Sequence, residues 1–176
     1  VAALKASQRL FLTTRNAEFA PHIGNDYNLE AHMAAQLDLL RSIGPDPRKG
    51  LEGEWKTTEG QIFVGRPAAN GLRPVNLKST THDSKHWTCE FLGEARGDGD
   101  TLVVEGRDKF RAEYAGWKIR ISRKGRMAET EALRPEGAQG GMPFCGMNGT
   151  LAGAYFPADD LPDNPCAGIP PGQCRE

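Results

Sequence analysis

The 176-residue sequence lacks any run of about 18 apolar residues, the length that a helix needs to cross a bilayer. That excludes a helical membrane span. It lacks a surplus of either charge: Lys and Arg number 22, Asp and Glu 23, and the formal net charge is −1. Nucleic-acid binders usually carry a clear basic excess, so that class is set aside, and the balance gives no reason to expect a membrane-surface protein. Cysteine is sparse, at four, with no Cys-x-x-Cys pair and no histidine at zinc-finger spacing. A phosphate loop is missing too, since no Gly-Lys-Ser/Thr follows the Gly65 to Gly71 segment. What is plentiful is glycine, at 21, and proline, at 12, so turns are frequent.

These turn formers are unevenly spread. Neither occurs from Val1 to Phe19, where Leu4, Phe11 and Leu12 can line one helical face. Pro21 ends that helix by excluding the preceding residue from helical angles. A second helix is predicted over about 27–43, with Leu29, Met33, Leu37 and Leu40 on one face, closed by Gly44 and Pro45. Residues 1–43 thus read as an antiparallel helical hairpin and 44–50 as a linker. From Leu51 the pattern becomes β. Glu54–Thr58 and Gln61–Val64 flank a Glu59-Gly60 turn. Pro74–Ser79, Trp87–Leu92 and Thr101–Glu105 follow, and Trp117–Arg123 alternates most cleanly, with Trp117, Ile119 and Ile121 on one side. Met127–Leu133 and a last strand within Gly149–Phe156 complete six to eight short strands, over 51–156. The tail, 157–176, is proline-rich and irregular. The expected fold class is α+β: an N-terminal antiparallel helical hairpin packed on a small antiparallel β-barrel or sandwich.

The cysteines are Cys89, Cys145, Cys166 and Cys174. Their even count, and the short loop between the last two, favour the disulfides Cys166–Cys174 and Cys89–Cys145, one of three possible connectivities. Disulfides imply an oxidising compartment, hence a periplasmic or secreted protein. Val1–Lys5 read as helix and not as a signal peptide, which fits an export signal removed or lost upstream.

In the first helix, Gln8, Phe11, Arg15 and Asn16 are spaced as in bacterial envelope proteins of the LprI-like lysozyme-inhibitor family, which this segment resembles. Phe19 stands where that family has a cysteine, and the Ala31-His32-Met33 region lacks its partner cysteine. A Phe19–Met33 contact is expected to replace that bond by packing. The resemblance implies a protein that binds a peptidoglycan-cleaving enzyme by placing a loop in its cleft. A glycosidase cleft holds paired carboxylates that an inserted donor or cation can occupy.

The long Arg134–Pro143 stretch is the expected binding loop, with Arg134, Glu136, Gln139 and Met142 as its contact residues and Cys145 as its anchor. The Gly65–Arg73 segment, with two arginines, is a second candidate weighed against an ordinary hairpin loop. His82 and His86 would share a helical face, but their context reads as a turn entering a strand, and Ser84 between them lacks a nucleophile elbow. Asp159, Asp160 and Asp163 lack calcium-loop spacing, and Asn148-Gly149-Thr150 is a short, common sequon. Trp55, Trp87 and Trp117 sit at strand positions and read as core. No acid–base pair or nucleophile stands out, so no enzyme, cofactor or metal is expected. The leading expectation is an exported bacterial envelope binding protein that inhibits a lysozyme through a surface loop. The alternatives are a small-molecule-binding β-barrel and an uncharacterised cell-wall enzyme. A protein partner is expected and nucleic acid is not; the oligomeric state is open.

Overall fold

The computed structural model describes residues 29–43, 46, 48–80, 87–97, 99–106, 114–147 and 149–158, with eight positions among the first sixteen. Eight strands are β1 (Gly53–Lys56), β2 (Gly60–Val64), β3 (Arg73–Thr80) and β4 (Thr88–Arg96), then β5 (Thr101–Gly106), β6 (Lys118–Lys124), β7 (Met127–Leu133) and β8 (Gly153–Pro157). Each pairs antiparallel with its sequence neighbour, and β8 returns to β1 to close a barrel. The closing seam is short, consisting of Trp55 opposite Pro157 and Lys56 opposite Phe156.

Period-two alternation dictates this arrangement, since successive strand residues point to opposite faces. Trp55, Ile62, Val64, Leu77, Phe91, Val104, Ile119 and Ile121 are completely buried. Eight strands enclose a space that side chains can fill, and these side chains fill it. On the outer face, facing residues pair by charge: Lys78 with Glu90 at 3.0 Å, Lys118 with Glu105 at 2.8 Å, and Arg120 with Glu131 at 2.7 Å. The hydrogen bond and charge of Lys118 hold the Glu105 carboxyl below its ordinary range. Such exposed pairs contribute little stability but reinforce the register.

Among the described residues there is no helical hairpin. The fold is an eight-stranded closed antiparallel barrel with short helical segments before it, so the α+β expectation is corrected to β. Helix α1 spans Leu29–Ser42. The stripe predicted to pack is exposed at Met33 (44 %), Leu37 (46 %) and Leu40 (38 %), while Gln36 and Leu39 are buried. Gln36 Oε1 accepts a hydrogen bond from the Thr58 hydroxyl at 2.7 Å. The helix therefore docks on the β1–β2 turn, through the face next to the expected one. Among the first sixteen residues, Phe11 is buried and Leu12 exposed. Phe19 lies outside the described residues, and Met33 is too exposed to serve as the expected packing substitute for a disulfide.

The segment read as a linker closes one end of the barrel. The Asp46 carboxylate is fully buried and receives Arg48 Nε and Arg123 Nη2, each at 2.7 Å. Both guanidinium groups lie over the Trp55 ring, at 4.5 and 5.5 Å from its centre. Trp55 Nε1 donates to the Leu51 carbonyl at 2.8 Å, and Arg123 Nη1 donates to the Gly50 carbonyl. Burial works to raise the Asp46 carboxyl, but the hydrogen bonds from Arg48 and the charges of Arg48 and Arg123 outweigh it and hold the group below its ordinary value. Gly53 makes the arrangement possible. Its φ is +115°, and a Cβ there would lie 3.3 Å from Arg48 Cδ and Cζ and closer still to Nη1.

Candidate functional site at the disulfide-clamped end

The opposite end carries the β1–β2, β3–β4, β5–β6 and β7–β8 connections. The β7–β8 connection crosses this end and is tied down at several points. Cys145 forms a disulfide with Cys89 at the start of β4. On either side of it, Glu90 N–H donates to the Phe144 carbonyl at 2.9 Å and Gly146 N–H donates to the Thr88 carbonyl at 2.8 Å. The Phe144 ring sits against Phe91 at 4.7 Å, Tyr114 at 5.6 Å and Trp117 at 5.6 Å. Gly146 is required by close approach, because a Cβ there would fall 2.7 Å from the Trp87 ring. Farther on, Ser79 Oγ donates to the Thr150 carbonyl at 2.6 Å. Thr130 Oγ1 and Tyr155 OH both donate to the Leu151 carbonyl, the latter at 3.0 Å. Burial pushes the Tyr155 phenol up to about 12; the Thr130 hydrogen bond opposes that rise and the Glu59 charge adds to it.

Between β7 and this anchor, the Arg134–Pro143 stretch folds on itself. Arg134 Nη2 donates to the Gly140 carbonyl at 2.8 Å, and Nη1 reaches the Ala138 carbonyl at 3.5 Å. Its guanidinium lies 5.5 Å from the centre of the Trp117 ring. Ala138 N–H donates to the Pro135 carbonyl at 3.2 Å, and Cys145 N–H to the Met142 carbonyl at 3.0 Å. The curled loop borders an open depression of about 460 Å³, whose lining includes Trp117, Pro135, Pro143, Glu136 and Gln139. Its exposed lining is more polar than apolar, with Trp117 itself buried; Glu136 and Gln139 are exposed. Among the described residues of its lining, Glu136 alone is ionisable. An open, largely polar depression with a carboxylate and an amide can hold a partner's side chain or a small polar ligand through hydrogen bonds.

Of the expected contact residues, Glu136 and Gln139 come together at this depression. Arg134 is nearby and uses two donors inside the loop. Met142 packs against the barrel core. The Cys89–Cys145 disulfide is present, whereas Cys166 and Cys174 lie outside the described residues, as do His82, Ser84, His86, Asn148, Asp159, Asp160 and Asp163. The Gly65–Arg73 segment is a hairpin loop at the far end, where Arg73 meets Glu52 at 2.7 Å and Arg66 meets it at 3.6 Å. Trp55 and Trp117 are core residues as expected, and Trp87 is half-buried. Among the described residues no group of three or more His, Cys, Asp or Glu side chains is placed to hold a metal ion. Phe144 escaped the sequence reading; its signal was a lone aromatic side chain next to Cys145 in a Gly- and Pro-rich stretch.

The chain matches no family model, no curated protein and no solved structure.

Proposed function

We propose that this is a non-catalytic binding protein of an oxidising compartment, which engages a protein partner through the Arg134–Pro143 loop. The observation that carries the reading is the pre-formed loop: Arg134 stitches it internally, Trp117 supports it, and the disulfide anchors its end. A loop ordered before binding loses little entropy on association. The interior is occupied by side chains, so a ligand would meet the protein at the end depression and not within the barrel. Among the described residues the depression holds one exposed carboxylate, and a single carboxylate suits hydrogen bonding to a partner. The disulfide supports the periplasmic or secreted location.

The proposed partner is a peptidoglycan-cleaving glycosidase, on the likeness of Gln8, Phe11, Arg15 and Asn16 to the LprI-like helix. The exposed Gln139 amide would donate to one of the cleft carboxylates. The test is lysozyme turnover, across several lysozyme classes, with the purified protein at micromolar concentration. Inhibition of one class is expected, weakened roughly tenfold or more by Gln139→Ala. Unchanged turnover in every class removes the glycosidase as partner.

A further inference from the structure

Strand β4 is nine residues long, but β5 covers only its Gly93–Arg96 portion. Thr88–Leu92 extend past the last described residue of β5, Gly106; among the described strands, β3 alone pairs with them. A barrel wall cannot leave such an edge bare without losing backbone hydrogen bonds. Here a distant piece of chain bonds along that edge. Cys145 bridges to Cys89 in the antiparallel sense, the two backbone hydrogen bonds flank that bridge, and Phe144 plugs the space among Phe91, Tyr114 and Trp117.

We infer that residues 144–146 form a redox-sensitive strap, whose hold on the β4 edge depends on the Cys89–Cys145 bond. The strap makes only two backbone hydrogen bonds to β4, whereas the neighbouring β3 seam runs through eight residue pairs. Cys89 is 2 % exposed and Cys145 is partly exposed, so a reducing thiolate attacks at the Cys145 sulfur. The S–S bond breaks, Cys89 leaves as a thiolate, and the mixed disulfide on Cys145 is resolved by the second thiol of a dithiol reductant. Two electrons pass to the protein, both cysteines end protonated, and the dithiol becomes its own disulfide. The strap is continuous with the Arg134–Pro143 loop, so its release also unfastens that loop. The inference does not depend on what the loop binds, because its readout is the strap itself.

Amide hydrogen exchange tests it, in a Cys166→Ser/Cys174→Ser background that leaves the one disulfide. Full reduction by dithiothreitol, verified by thiol titration, should speed exchange at the Glu90 and Gly146 amides roughly tenfold or more. Exchange at Ile62, Val104 and Ile119 should stay unchanged, and reoxidation should restore protection. Adding Cys145→Ser to that background should reproduce the fast exchange without reductant. Unaltered rates at both strap amides in the reduced protein overturn the inference. So does a parallel acceleration at Ile119, or a Cys145→Ser chain that fails to fold; either makes the bond a staple of the whole barrel.

Discussion

Gly53→Ala would push a methyl group into the guanidinium that caps the barrel. The backbone there has φ +115°, which L side chains rarely adopt, and holding it costs about 1–3 kcal/mol. The new Cβ would also displace Arg48, whose Nη1 donates to the Glu54 carbonyl at 3.1 Å while its Nε pairs with the buried Asp46. Loosening those contacts adds about 1–2 kcal/mol, for a total of about 2–5 kcal/mol. Gly71→Ala is the control: its φ is +75°, but nothing lies within 4 Å, so only backbone strain of about 1 kcal/mol remains. Arg48→Ala alone should cost about 2–4 kcal/mol, since Asp46 keeps Arg123 as a partner. In the double variant there is no guanidinium left to displace. Its cost, measured by urea unfolding, should fall short of the sum by at least about 1 kcal/mol. Additivity within about 0.5 kcal/mol would refute the placement of Arg48 over Gly53.

Two further outcomes follow from burial. The Tyr155 phenol is pushed up from 10.0 to about 12, so its contribution is complete below pH 10 and disappears as pH rises through 12. That loss amounts to about 3 kcal/mol. Unfolding midpoints measured from pH 9 to 12 should drop steeply in the native chain and more gently in Tyr155→Phe; equal slopes would exclude Tyr155 as the cause. On α1, Leu39→Ala should cost about 2–4 kcal/mol by chemical denaturation, and Leu37→Ala less than about 0.5, because Leu39 is buried and Leu37 is 46 % exposed. The reverse order would restore the stripe read from the sequence as the docking face.

The strands were legible because alternation is a local signal. Ile119 and Ile121 lie buried between Lys118, Arg120 and Ser122, and that spacing alone foretells which side faces in. Parity and spacing also pointed to the Cys89–Cys145 bond. The helix face was misread because spacing does not say which stripe meets a partner. Met33, Leu37 and Leu40 make the more apolar stripe, but a hydrogen bond from Thr58 draws Gln36, and Leu39 beside it, inward. The end cap was hidden for a similar reason: Asp46 and Arg48 sit in a turn-rich segment, and their partners Arg123 and Trp55 are distant in sequence. At the candidate site, the loop and its anchor could be read from length and cysteine position. The inward commitment of Arg134 could not, since its acceptors are carbonyls of its own loop.

The strand order has a consequence for how the chain assembles. Seven of the eight seams join consecutive strands, so none has to close over more than the 134–152 connection. The eighth must bring Trp55 to Pro157 across nearly the whole sheet, and among the described residues it offers two residue pairs when it gets there. Ring closure is thus the step with the largest loop entropy and the smallest local reward. Until it happens, β1 and β8 are two bare margins of a curled ribbon, and a second ribbon can meet them as readily as they meet each other.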